Sequence, residues 1–144
     1  MALASPLTEK ALSEQEELFR ECYEMGDIEL GRALYHPDLI YVSPTFRIID
    51  RPSWVMTGIE AGLEFIQATV TGIDNVRYAA VSTAIVPGGR AAFAQIHFDW
   101  DGEGGVRVRS NYISMYRYHE DGRIAQQEIY YDPSGVLSDP NAVG

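Results

Sequence analysis

The spacing of apolar residues changes along the chain from helical to alternating, and the changes mark out its elements. Leu18, Phe19, Cys22 and Tyr23 form a stripe at helical spacing, and Ser13-Glu14-Gln15-Glu16 ahead of them matches a capping box, serine at the cap and glutamate three later. This predicts a helix of about three turns, stopped by Gly26. Asp27 can cap a second, short helix that turns Ile28, Ala33 and Leu34 inward and stops at His36-Pro37, because a residue before proline avoids helical angles. Asp38 to Ser43 reads as a strand ended by Pro44-Thr45, and Phe46 to Asp50 as a second short strand or a loop. Trp54 and Met56 then precede Thr57-Gly58-Ile59-Glu60, a second capping box, after which Ile59, Leu63, Ile66 and Val70 predict a third helix lying on a sheet.

The second half alternates. Ile73 to Val86 is a long strand turned by Pro87-Gly88-Gly89, and Ala91 to Asp132 reads as three antiparallel strands joined by glycine-rich, acidic turns at 101–105 and 119–122. If those turns close symmetrically, Trp100 pairs near Val106 and Tyr118 near Arg123, and side chains sort by parity. One face collects Phe93, Gln95, His97, Asp99, Arg107, Arg109, Asn111, Ile113, Met115, Gln126, Glu128, Tyr130 and Asp132. The other collects Ala92, Ala94, Ile96, Phe98, Trp100, Val108, Ser110, Tyr112, Ser114, Ile129 and Tyr131. In this register His97 lies across from Arg109 and Arg109 across from Asp132, with Asp99 and Asn111 beside them. Such a constellation suits acid/base chemistry, because neighbouring charges push carboxylate and imidazole pKa values apart. The same residues also suit a solvated outer face laced by cross-strand ion pairs.

Composition narrows the partners. The 144 residues are enough for one domain with a core of its own, expected to span 1–144 with loose ends at 1–10 and 136–144. A net charge of −10 argues against nucleic acid and against an anionic membrane. The lone Cys22 lies on the first helix's apolar stripe and reads as core packing. No signal-peptide core or long apolar span occurs, which makes the cytoplasm the expected location. His36, His97 and His119 are too scattered for a metal signature, no serine sits in a GxSxG elbow, and no metal or organic cofactor is expected. His36, at a helix end, reads as a local hydrogen-bonding group.

Helices followed by a curved antiparallel sheet, with one helix between early strands, make an α+β plan in which the sheet wraps round the N-terminal helices as a cone with an internal pocket. This order of elements resembles the nuclear transport factor 2-like superfamily. Within it, Gly122-Arg123-Ile124 leading through Glu128-Ile129-Tyr130-Tyr131-Asp132 looks like the ending of SnoaL-like proteins, where a final strand delivers an aspartate to the cavity. Asp132 matches the acid/base of the SnoaL polyketide cyclases. A second resemblance is to limonene-epoxide hydrolase, with Ile96-His97-Phe98-Asp99, Asp132 and Tyr41-Val42-Ser43 at the corresponding strands; His97 stands where that family has arginine and Ser43 where it has asparagine.

The resemblance implies that the polar face lines the cavity. It implies an acid/base enzyme on a hydrophobic small molecule, of cyclase, isomerase or dehydratase type, with polyketide-, terpenoid- or steroid-like substrates. Asp132, Asp99, His97 and Arg109 are then the catalytic candidates, and Tyr41, Ser43, Trp54, Asn111 and Tyr130 the substrate-binding ones. Epoxide hydrolysis and a non-catalytic binding or assembly module are the alternatives. A homodimer is expected through the sheet's other face, where Ile96, Phe98, Trp100 and Tyr112 would be costly to leave in water.

Overall fold

A computed structural model of the chain describes residues 6–45 and 53–131. Helix α1 (Glu9–Met25) begins one turn earlier than the capping box suggested: Thr8 is the cap, its Oγ1 accepting the Ala11 N–H at 3.1 Å. Gly26 closes the helix in the left-handed region at φ 71°. Starting earlier brings Leu12 onto the buried stripe with Gln15, Glu16, Phe19, Cys22 and Tyr23, so the glutamate read as a cap lies in the interior. The next helix, Ile28–Leu34, is 3-10; Asp27 makes no side-chain cap to it and Ala33 is exposed.

Strand β1 (Tyr35–Val42) starts before His36-Pro37, and β2 (Val55–Thr57) pairs with it antiparallel. Helix α2 (Ile59–Gly72) follows, capped by Gly58 rather than Thr57, with Leu63 and Ile66 buried on the sheet as the spacing predicts. Gly62 is where α2 crosses β1: a Cβ there would stand 2.6 Å from the Tyr35 ring. The segment read as a strand or loop at Phe46 to Asp50 lies outside the described residues.

Strands β3 (Asp74–Ile85), β4 (Ala91–Asp101), β5 (Arg107–Tyr118) and β6 (Ile124–Tyr130) complete a six-stranded sheet in the order β2-β1-β6-β5-β4-β3. It is antiparallel except where β6, returning from the β3–β5 meander, lies parallel to β1. Register shifts between Ala80 and Ser82 and beside Tyr118 mark irregularities of the kind that bend strands.

Parity holds across the meander but the pairing does not. A 3-10 turn at Glu103–Gly105 lengthens the β4–β5 connection, so Trp100 pairs with Val108, His97 with Asn111 and Asp99 with Arg109. The two-residue shift leaves the described side chains of β4 and β5 on their predicted faces and changes their partners.

The face turned to the helices is the apolar one, which corrects both face assignments made from the resemblance. Ala92, Ala94, Ile96, Phe98 and Ile129 are in the core, with Phe98 edge-on to Tyr23 of α1 at 5.4 Å; Trp100 and Tyr112 pack against its margin. Exposed Phe93, His97, Arg109, Ile113 and Tyr130 lie on the opposite side. The reason is desolvation: burying Ile96 and Phe98 is favourable by about 1.5–3 kcal/mol each, whereas burying His97, Asp99 and Arg109 would strip water from ionisable groups.

Candidate active site

Two polar residues interrupt the apolar stripe of α1. Gln15 is 6% and Glu16 5% exposed. The sheet below sends tyrosines up to them, Tyr78 from β3 and Tyr116 and Tyr118 from β5. Tyr78 Oη donates to Glu16 Oε1 at 2.6 Å, while Tyr116 Oη and Gln15 Nε2 donate to Glu16 Oε2 at 2.8 and 2.9 Å. Tyr118 Oη donates to Gln15 Oε1 at 2.8 Å.

Burial drives the Glu16 carboxyl above the ordinary carboxylate range, and the donors from Tyr78, Gln15 and Tyr116 oppose the rise without cancelling it. Burial also raises the Tyr78, Tyr116 and Tyr118 phenols, which holds them protonated as donors. The pattern is two-sided: three donors suit a carboxylate, and the dry surroundings suit a carboxylic acid. A group balanced in this way can both take up and release a proton.

The polar network extends inward. The Tyr112 phenol interacts with those of Tyr78 and Tyr23, and Ser114 with that of Tyr116. Gln127 Nε2 donates to Ser114 Oγ at 3.0 Å and Tyr35 Oη to Gln127 Oε1 at 2.8 Å. Stacked pairs wall it: Tyr23 on Tyr78 at 5.1 Å, Phe19 on Tyr116 at 6.1 Å and Tyr41 on Phe65 at 5.0 Å. A groove of about 320 Å³ between α1 and β3, bordered by Ser13, Arg20 and Thr83, reaches Glu16 and Tyr78 from outside.

Of the residues predicted from sequence, Asp132 lies outside the described residues, and with it the pairing expected between Arg109 and Asp132. His97 is exposed and Asp99 half-buried on the face away from the helices, where Asp99 faces an exposed Arg109 across the strands. Asn111, opposite His97, keeps a buried Oδ1 with no hydrogen-bond partner. Tyr41 and Ser43 point inward, 1% and 0% exposed, with Ser43 Oγ accepting the Thr45 N–H at 3.1 Å. Trp54 and Tyr130 are exposed, and the Tyr130 hydroxyl donates to Glu128. The structure thus groups Tyr41 and Ser43 with the interior, and His97, Asp99 and Arg109 with the outer face.

Glu16, Gln15, Tyr78, Tyr116 and Gln127 were missed. The signal for Glu16 was present, since Leu12, Glu16, Phe19 and Tyr23 recur at helical spacing and place a carboxylate on an apolar stripe.

Among the described residues, one cluster has metal-ligand chemistry. The ligand atoms of His36, His119 and Asp121 lie within 4.8 Å of one another. The two imidazoles are stacked, 3.8 Å between centroids and 18° between planes, so their in-plane lone pairs do not converge. Nδ1 of His36 accepts the Asp38 N–H and Nδ1 of His119 the Asp121 N–H. Asp121 is held down to about 2, chiefly by hydrogen bonding to the Arg123 side chain. The arrangement is that of two local hydrogen-bonded turns, one at the start of β1 and one between β5 and β6, joined by their stacked rings. Burial pushes the Cys22 thiol up to about 11, away from the thiolate a nucleophile needs.

Residues 16–127 match the SnoaL-like domain, and the chain belongs to that family. Its fold is that of the NTF2-like proteins. An NTF2-like protein from Anabaena variabilis superposes with a TM-score of 0.71 at 13% identity, over 96% of this chain and 98% of that one. An LEH-like epoxide hydrolase from Mycobacterium tuberculosis gives 0.62 at 17% identity, covering 85% and 84%. RV0760c from the same organism, solved with estradiol-17beta-hemisuccinate, gives 0.65 at 17% identity, covering 85% and 92%. No curated protein matches the sequence. Among the described residues no helix is long and apolar enough to cross a membrane.

Proposed function

We propose that the chain is an enzyme of the cyclase, isomerase or dehydratase type, acting by proton transfer on a polyketide-, terpenoid- or steroid-like molecule held between the helices and the apolar face of the sheet. The observation that carries the reading is the buried Glu16 carboxylate under the Tyr78 and Tyr116 phenols, at 2.6 and 2.8 Å. Glu16 takes a proton from the substrate and returns it elsewhere, and the protonated phenols stabilise the negative charge that develops. Such chemistry needs only placed acids, bases and donors. Asp132 keeps the acid/base role that the family resemblance gives it, and Tyr41 and Ser43 face the ligand. The estradiol-17beta-hemisuccinate complex of RV0760c, a protein of the same fold, supports an apolar polycyclic ligand.

Epoxide opening is the second reading, favoured by the inward Tyr41 and Ser43 at the positions that resemble a water-holding pair and by the fold shared with an LEH-like epoxide hydrolase. His97, Asp99 and Arg109 then serve the outer face, where exposed Phe93, Ile113 and Tyr130 surround Met115 and suit a homodimer.

The test is turnover of a panel of enolisable polycyclic ketones, β-hydroxy ketones and terpenoid epoxides, followed by mass spectrometry and by deuterium uptake from solvent. The wild type is expected to turn over at least one substrate, with Glu16→Gln and Asp132→Asn each slowing it 100-fold or more, in the range removal of an acid/base group produces, about 10²–10⁴. Turnover that survives Glu16→Gln would sink the assignment. Tight binding of the same ligands without turnover would make the chain a binding module.

A further inference from the structure

Every group that touches the Glu16 carboxylate in this arrangement is a donor. Tyr78 reaches it from β3, Tyr116 from β5, and Gln15 from its own helix. That set matches the ionised form. When Glu16 carries a proton, one of these three partners must turn to accept it, and a phenol oxygen or the amide oxygen can do so.

Gln15 can change sign while both phenols go on donating. Its amide is buried and held at both ends, Nε2 on Glu16 and Oε1 on Tyr118, with 2.9 and 2.8 Å separations. A 180° flip about the last side-chain bond exchanges the two amide atoms and leaves their positions nearly unchanged. Oε1 then accepts from a protonated Glu16, and Nε2 donates to Tyr118 Oη, which accepts as readily as it donates. The Tyr118 hydroxyl hydrogen is free to turn elsewhere, since this side chain is only half-buried. Asparagine is too short to make this bridge, and leucine or methionine can fill the space but bond to neither side.

We propose that Gln15 is a positioning residue, an amide that reverses with the protonation of Glu16 and, seated on Tyr118, satisfies the carboxyl group in both states. The proposal rests on the acid/base reading of Glu16 and adds how one buried group can complete a proton-transfer cycle without passing through an unsatisfied state. The other titratable groups that interact with Glu16 are the phenols of Tyr23, Tyr35, Tyr78, Tyr112, Tyr116 and Tyr118; Glu17 and Arg20 of α1 border the groove outside and bond each other. The phenol oxygens of Tyr78 and Tyr116 can accept as well, and a reversing amide is the arrangement in which both go on donating to the carboxyl group.

The experiment is NMR on the labelled wild-type protein, with no substrate present. The Glu16 carboxyl carbon is followed across its titration, and nuclear Overhauser contacts from the Gln15 side-chain NH₂ are recorded above and below the midpoint. The expected result is contact with the Tyr116 ring above it and with the Tyr118 ring below it. Gln15→Met, which retains the packing, and Tyr118→Phe are each expected to lower kcat about tenfold with KM changed less than twofold. Gln15→Met is expected to narrow the pH profile of kcat.

An amide that keeps one orientation on both sides of the midpoint would overturn the proposal. So would a Glu16 carboxyl that stays ionised down to the acid limit of the fold, since one orientation would then suffice. Because the contacts are read without turnover, a flipping amide in a protein that turns over no substrate would refute the catalytic reading alone.

Discussion

Glu16 couples the site to the stability of the molecule. Its carboxyl is raised in the folded state by burial, so the native protein holds a proton that the unfolded chain has released. Where the native state binds more protons than the unfolded one, stability falls as pH rises. The Glu16 contribution is therefore fully present below the ordinary glutamate value of 4.5 and is lost between that value and the raised one. Each unit of displacement is worth about 1.4 kcal/mol. Asp121 and Asp101 move in the opposite sense, lowered by their hydrogen-bonding partners and stabilising above the ordinary aspartate value. A comparison with Glu16→Gln isolates the Glu16 effect from theirs. Urea midpoints are expected to show the wild type losing stability relative to Glu16→Gln as pH rises above 4.5. Parallel curves for the two proteins would mean that the folded carboxyl titrates as it does in the open chain.

At the scale of elements, the site depends on how closely α2 packs on β1 of the sheet. Gly62 lets the helix backbone approach the Tyr35 ring, and Tyr35 in turn donates to Gln127, which donates to Ser114. Gly62→Ala puts a methyl group 2.6 Å from that ring, too close for the ring to stay in place. The variant is expected to lose about 1–3 kcal/mol, the usual range for overpacking a filled core. Its Tyr35 ring signals should move. An unchanged denaturation midpoint would show that α2 can lift off the sheet at little cost.

Most of the elements were legible, because they are written in local pattern; β2 (Val55–Thr57), too short to carry one, was not. The Ile59, Leu63, Ile66 and Val70 spacing gave α2, and strict alternation gave the two faces of β4 and β5 correctly. What the pattern did not carry was the length of the turn at 102–106, hence the cross-strand partners, and which face the helices would cover. The resemblance chose the polar face, and the burial of Ile96 at 0% and Phe98 at 7% shows that the hydrophobic term chose the other. Glu16 was hidden by its own neighbours. Ser13 and Glu16 satisfy a capping box on paper, and only the true cap at Thr8 reveals that the carboxylate sits a turn deep in the helix on its buried side.

The whole molecule has one sheet face covered by helices and one uncovered, and the uncovered one is not uniformly polar. Phe93, Ile113 and Tyr130 are 42%, 38% and 52% exposed, and Met115, between them, is already only 4% exposed. The strand pairing makes them neighbours: Phe93 pairs with Met115, and Ile113 with Tyr130. His97, Asp99, Arg109 and Arg117 extend the same face as a charged margin of both signs, and a polar rim round an apolar centre is the usual anatomy of an interface. A homodimer proposed through this face would leave the α1 groove open on each protomer, so the dimer and the interior site can be perturbed separately. Sedimentation equilibrium is expected to show self-association that Phe93→Glu abolishes, because two buried carboxylates would have to be desolvated across an interface of about 800 Å² per protomer. The same variant should keep the Glu16 titration, since Phe93 faces away from α1. A protein that sediments as a monomer at every concentration would leave the exposed aromatics as ordinary surface, and would show that whatever the interior does, one chain does alone.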